Sequence, residues 1–182
     1  TMAQMADRHN LYENSVQDTR EEYRFIDRTY QKLRGRKAFS LREDFCGTAK
    51  MCCQWVQSRK ENIGVGVDLD KKVLNWGRRN NLSKLKAEQK SRLTLLHDNV
   101  LTVNSTPTDI IMAMNFSYFI FKERGVLKEY FQKCRQSLNH GGVLFLDAFG
   151  GSDAFVELEE ETKYGYFTYI WDQSRYNPIT GE

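Results

Sequence analysis

Four short polar segments follow apolar runs in this chain, and each holds groups able to grip a small ligand. The first is Glu43-Asp44-Phe45-Cys46-Gly47-Thr48-Ala49. It joins two carboxylates to a glycine, which lets a ligand approach the backbone closely, and to a threonine that leads into a helix. The second is Asp68-Leu69-Asp70, in which Asp68 lies 25 positions after Glu43. A carboxylate at that place can accept both hydroxyls of a ribose. The third is His97-Asp98-Asn99-Val100, and the fourth is Asn115-Phe116-Ser117-Tyr118. Each is a weak signal alone; their order and spacing carry the weight.

The elements that position these segments alternate between two periods. Residues 15–34 predict a helix with Tyr23, Ile26, Tyr30 and Leu33 on one face, opened by Asp18 and Glu21 as a capping box and ended by Gly35. A first strand follows over 38–43. The pattern continues as helix 48–58, strand 63–67, helix 71–81, strand 93–96 and strand 109–114. Helix 123–138 is broken by Asn139-His140-Gly141-Gly142, and a fifth strand runs over 143–147. Strand 109–114 is nearly all apolar, as a strand buried on both faces must be. Strands alternating with helices predict an α/β fold: a Rossmann-like open, mainly parallel sheet with helices on both faces. Ligands in such sheets bind beyond the carboxyl ends of the strands, where the four polar segments fall. After Gly151 the pattern changes. Residues 153–161 read as a short acidic helix and residues 164–171 as an aromatic strand without a partner. The expectation is a sheet that lacks its final strands at the C-terminus. The division expected is a helical cap at 1–37, a cofactor-binding α/β core at 38–151, and the start of a substrate-side insertion at 152–182.

The chain has 182 residues, 40% hydrophobic and 28% charged, with a net charge of +3. That suits one globular domain and gives no strong argument for an acidic partner. No apolar run is long enough to span a bilayer, and the first ten residues lack the apolar stretch of a signal peptide. A cytoplasmic protein without membrane contact is the simplest reading. Cys46, Cys52, Cys53 and Cys134 form no C-x-x-C pair and no metal set; they read as reduced, mostly buried thiols. The basic stretch 84–92 reads as a solvated helix and its exit, with a nucleic-acid patch as the lesser reading.

Residues 41–49 (LREDFCGTA) resemble the first motif of class I S-adenosylmethionine-dependent methyltransferases, and the resemblance extends over residues 41–151. The DFCGTA wording is similar to one particular branch of that superfamily. The resemblance implies S-adenosylmethionine as cofactor and methyl transfer as activity. Glu43 matches the motif acid, and Cys46, Gly47 and Thr48 its Cys-Gly-Thr, shaping the loop under the methionine part. Asp68 matches the ribose-binding acid, with Leu69 beside the adenine. Asp98 matches the acid that receives the adenine amino group, with the Asn99 and Val100 backbone flanking the ring. Asn115 lies where the fourth motif faces cofactor and substrate, and residues 138–142 resemble the Leu-x-Pro-Gly-Gly turn, with His140 for the proline. Two departures stand out. Phe45 and Ala49 occupy positions that are usually glycine, so the loop is expected to be displaced, with Asp44 sharing or taking over the role of Glu43.

Methyl transfer from a sulfonium is an in-line displacement with a good leaving group, so it requires alignment and exclusion of water more than a catalytic dyad. No catalytic residue is assigned. Tyr118 and Tyr12 are the candidates for substrate contact, against aromatic packing for Tyr118 and helix packing for Tyr12. The methyl acceptor is unidentified; a small molecule leads, with protein or nucleic acid as alternatives. Two other readings stand: a nicotinamide-dependent oxidoreductase, which would need a glycine-rich turn that this loop does not have, and a non-catalytic binding module.

Overall fold

The computed structural model describes residues 6–180. Five parallel strands form one sheet in the order β3-β2-β1-β4-β5. They are β1 (Ser40–Asp44), β2 (Ile63–Asp68), β3 (Leu93–His97), β4 (Thr108–Ala113) and β5 (Leu138–Leu146). The helices are α1 (Arg8–Ser15), α2 (Thr19–Arg34), α3 (Lys50–Ser58), α4 (Lys71–Asn80), α5 (Ala87–Lys90) and α6 (Arg124–Gln136). The strand order reverses between β1 and β4, which opens a crevice at their carboxyl ends. The expected α/β class is therefore the observed one.

Two cores lie on the two faces of the sheet. On one, Ile26 and Tyr30 of α2, Met51, Cys52, Trp55 and Val56 of α3, and Leu74 of α4 pack over Leu41, Ile110 and Met112. On the other, Tyr130 and Cys134 of α6 pack over Val67, Ile111 and Ala113. Alternation along β1 sorts its polar residues the same way: Glu43 turns toward α3, whereas Arg42 and Asp44 turn toward α6. β4 is buried at every position.

The helix caps follow their sequence signals. Asp18 accepts the Glu21 N–H at the start of α2, and Gly35 ends it in the left-handed region at φ 66°. Leu33, expected on the inward face, is exposed because it falls on the last turn, past the buried stretch of α2. Arg92 in the basic stretch donates to the Val56 and Arg59 carbonyls and so serves packing, while Lys84 and Lys86 face solvent.

Two further expectations are corrected. β5 starts at Leu138, directly after the Ser137 cap of α6, so the Asn139–Gly142 segment is not a helix-ending loop. It is an irregularity within the strand: Thr108 pairs with Leu138 and Ile110 with Val143, and Gly141 takes φ 74° to absorb the extra residues. The acidic segment is not a helix either. Residues Ser152–Phe155 form one tight turn, and β6 (Leu158–Tyr164) pairs antiparallel with β7 (Phe167–Gln173), so the aromatic strand has its partner. The hairpin touches α1: the Tyr164 hydroxyl donates to the Ser15 carbonyl at 3.0 Å. Among the described residues no helix is long and apolar enough to cross a membrane.

Candidate cofactor site

A cleft of about 400 Å³ opens at the reversal of strand order. Its walls come from the end of β1 (Glu43 to Thr48), the β2–α4 turn (Asp68, Asp70, Val73), the end of β4 (Met114, Asn115, Ser117) and α1 with its exit (Arg8, His9, Tyr12, Gln17). Its size is that of a small-molecule site, which runs from about 300 Å³ upward.

The loop after β1 is fixed by three backbone contacts. Cys46 donates its N–H to the Val67 carbonyl at 2.9 Å, Ala49 to the Cys46 carbonyl at 2.8 Å, and Gly47 to Asp68 Oδ2 at 2.7 Å. Phe45, Gly47 and Ala49 all have φ between 53° and 57°. The chain thus keeps a left-handed backbone at both positions where glycine is usual, with side chains in place. Phe45 fits because its ring leaves the loop and packs 6.0 Å from the rings of Phe121 and Tyr130. The loop accordingly stays tied to the end of β2.

The two carboxylates at the end of β1 have different tasks. Asp44 is 1% exposed; it pairs with Arg42, Nε to Oδ1 at 2.8 Å, and accepts the Tyr130 hydroxyl at 3.0 Å. These partners hold the Asp44 carboxylate on the α6 side of the sheet. Glu43 is 7% exposed and accepts the Cys52 N–H at 3.2 Å and its thiol at 2.9 Å through one oxygen. Burial raises its carboxyl to about 8, against the pull of the Cys52 thiol.

Asp68 bridges the loop and the next turn: Oδ2 receives Gly47 and Oδ1 receives the Asp70 N–H at 2.8 Å. Asp70 caps α4 by accepting from Lys72 and Val73. Gly77 explains how α4 lies against the loop, since a Cβ there would collide with the Thr48 carbonyl. Thr48 donates to Glu13 of α1, which is 8% exposed and also accepts the Asn81 amide at 2.6 Å. Lys50 donates to the Glu13 carbonyl at 2.6 Å and the Gln17 carbonyl at 3.2 Å. These contacts hold α1 over the cleft. Tyr12 remains 43% exposed, and burial, together with Tyr169, Glu22, Asp147 and Glu43, keeps its phenol above the ordinary value.

The structure brings Glu43, Asp44, Cys46, Gly47, Thr48, Asp68, Asn115 and Tyr12 to the cleft. Leu69, Asp98, Asn99 and Val100 stand outside its lining. Leu69 is 61% exposed on the rim, and the Asp98 N–H donates to the Asp68 carbonyl at 3.1 Å, so this surface continues from the cleft. Asp98 spends Oδ1 on the Asn99 N–H, Asn99 accepts the Leu101 N–H, and Val100 is 4% exposed in the core under α6. Tyr118 does not reach the cleft; it packs edge-on to Phe119 at 4.9 Å and against Phe131, and Ser117 lines the cleft in its place. Arg8 and Asp147 escaped the sequence reading, which takes His9 as exposed or structural and Gln17 only as part of a segment that could fold over the cofactor. Asp147 escaped because it acts on backbone, receiving the N–H groups of Asn115 and Phe116.

No protein-family model matches the chain, and no curated protein matches it. Solved structures do. A S-adenosylmethionine-dependent methyltransferase from Clostridium acetobutylicum superposes with a TM-score of 0.72 at 18% identity, over 93% of this chain and 68% of that one. CalS10, an amino pentose methyltransferase from Micromonospora echinaspora bound to S-adenosylmethionine, gives 0.71 at 14% identity over 93% and 69%. The glycopeptide N-methyltransferase MtfA gives 0.60 at 18% identity over 80% and 60%. The chain therefore spans about three fifths of MtfA's length. At these identities the likeness establishes the fold: this chain has the Rossmann-like α/β architecture of those methyltransferases.

Proposed function

We propose that this chain is a class I methyltransferase of the DFCGTA type, which moves the methyl group of S-adenosylmethionine to a small-molecule acceptor in the cytoplasm. The observation that carries the reading is the Gly47 N–H bonded to Asp68 Oδ2 at 2.7 Å, which joins the β1 loop to the β2 acid at the mouth of the cleft. The residues present fit the cofactor. Gly47 leaves its backbone open, Asp68 offers acceptors to ribose hydroxyls, Leu69 gives an exposed apolar face for a base, and Asp98 stands at the next strand end. Residues 1–37 act as a cap, residues 38–151 as the cofactor core, and residues 152–182 as a substrate-side addition.

S-adenosylmethionine, when bound, supplies an activated methyl group on a sulfonium. The chain's own residues then have to orient and exclude water. α1 covers the cleft through Glu13, and Asn115 and Ser117 present polar groups opposite the loop. Tyr12 stands on the wall of the cleft, and the acceptor proposed for it carries an amine. The amino pentose and glycopeptide N-methyltransferases of the same fold support that choice. Titration calorimetry with S-adenosylhomocysteine and with NAD tests the reading. Binding of the first alone is expected; binding of NAD alone would assign an oxidoreductase, and binding of neither a non-catalytic module.

A further inference from the structure

The hairpin of β6 and β7 reaches from α1 to the exit of β5. At one end the Tyr164 hydroxyl donates to the Ser15 carbonyl at 3.0 Å, one helical turn after Tyr12 on the cleft wall. At the other the Trp171 ring lies 5.6 Å from that of Phe149, which lies 5.8 Å from Phe116, the neighbour of Asn115 in the cleft. Residues directly opposite in an antiparallel pair share a face. The register sets Tyr164 against Phe167, Thr162 against Tyr169 and Glu160 against Trp171, so all six stand on the face that meets α1 and Phe149. The burial of β7 agrees: Phe167, Tyr169 and Trp171 are half-buried, and the residues between them are exposed.

This aromatic face also carries a carboxylate. Glu160 is exposed beside Trp171, and among the described residues it enters no ion pair. Residues 152–173 hold six carboxylates and one lysine, and that lysine, Lys163, stands opposite Thr168 on the other face. Aromatic rings attract cations over their faces, and a carboxylate beside them adds to the attraction. A neutral ring gains nothing from Glu160. The charge therefore selects the occupant, a small organic ammonium.

We propose that Trp171, Phe149 and Glu160 form the seat that receives the cationic amine of the methyl acceptor. The inference rests on the methyltransferase reading and gives the hairpin a role in acceptor specificity.

The test uses choline, which carries a fixed cation, and its neutral isostere with a carbon atom in place of the nitrogen. Each is titrated into wild type, Trp171→Leu, Trp171→Phe and Glu160→Gln by NMR. The ligand signals give affinity in every variant, and the indole N–H resonances of Trp55, Trp76 and Trp171 give the place of binding. In wild type, choline should move the Trp171 resonance and leave the other two. It should bind at least about fivefold tighter than the isostere, the scale of one cation–π contact. Trp171→Leu should weaken choline about fivefold, and Trp171→Phe, which keeps a ring face, should weaken it less. Glu160→Gln should lower the preference for choline and leave the isostere unchanged. S-adenosylhomocysteine affinity should be the same in all four proteins; if Trp171→Leu loses it through misfolding, Glu160→Gln decides. Equal affinity for choline and its isostere in wild type would overturn the inference, as would full choline affinity in a folded Trp171→Leu. Choline bound as expected by a chain that binds no S-adenosylhomocysteine would sink the methyltransferase reading, while the cation seat stood.

Discussion

The carboxylate of Asp147, just past β5, receives the backbone N–H of Asn115, just past β4, at 2.7 Å. Its other oxygen receives Phe116 at 2.9 Å. Asn115 and Phe116 are both left-handed, at φ 55° and 54°. Asparagine tolerates that region, whereas phenylalanine is strained there. Asp147 is thus what keeps two consecutive residues in an uncommon conformation and points Asn115 into the cleft. Replacing Asp147 with alanine orphans both N–H groups and should cost about 2–3 kcal/mol. Asp147→Asn keeps one acceptor oxygen and should lose less. Urea denaturation checks this; equal losses for the two variants would contradict a two-point anchor.

The same pair shows why part of the site was illegible. Glu43, Gly47, Asp68 and Asn115 fall at strand ends, and strand ends are marked by where apolar runs stop. The period of those runs was enough to place them. Asp147 works on main-chain N–H groups, which leave no trace in side-chain type. α1 has no apolar stripe and buries only Glu13, so its docking through a polar contact gave no periodic signal. β6 failed for a related reason. Its five central residues are exposed, so no alternation distinguishes the acidic run from a helix.

Gly77 carries a sharp prediction. Gly77→Ala places a methyl group against the Thr48 carbonyl, where backbone stands on both sides and no flexible side chain can yield. Overpacking of this kind costs about 1–3 kcal/mol. The loop must shift away from α4, which breaks the Thr48 contact with Glu13. Gly77→Ala should lower Tm and weaken S-adenosylhomocysteine binding, whereas Gly125→Ala, with open space around it, should do neither. Thermal unfolding with and without ligand measures both.

Asp44 and Arg42 test the division of labour at the end of β1. Both are at most 1% exposed, and among the described residues Arg42 is the cation paired with Asp44. Burial alone pushes the Asp44 carboxyl up, and Arg42 opposes that shift. Arg42→Met leaves the carboxylate buried and unpaired, at a cost of about 3–5 kcal/mol. Adding Asp44→Leu should recover much of that loss, since an apolar pair can replace a buried ion pair. The double variant should also keep its affinity for S-adenosylhomocysteine within about threefold, because Glu43 and Asp68 are untouched. A double variant less stable than Arg42→Met would mean that Asp44 contributes through Tyr130 and not through the pair.

Glu43 makes stability depend on pH with a sign opposite to that of most carboxylates. Burial lifts it from 4.5 to about 8 in the folded chain. Between those values the folded state holds a proton that the unfolded state has released. Stability from this group is therefore fully present below about 4.5 and falls as pH rises toward 8, by at most about 1.4 kcal/mol per pH unit. Glu43→Gln mimics the protonated form and removes this slope. The comparison to make is urea denaturation of wild type and Glu43→Gln from pH 5 to pH 8. Wild type should lose stability relative to the variant as pH rises, and a difference that stays constant over the range would mean that Glu43 is ionised throughout.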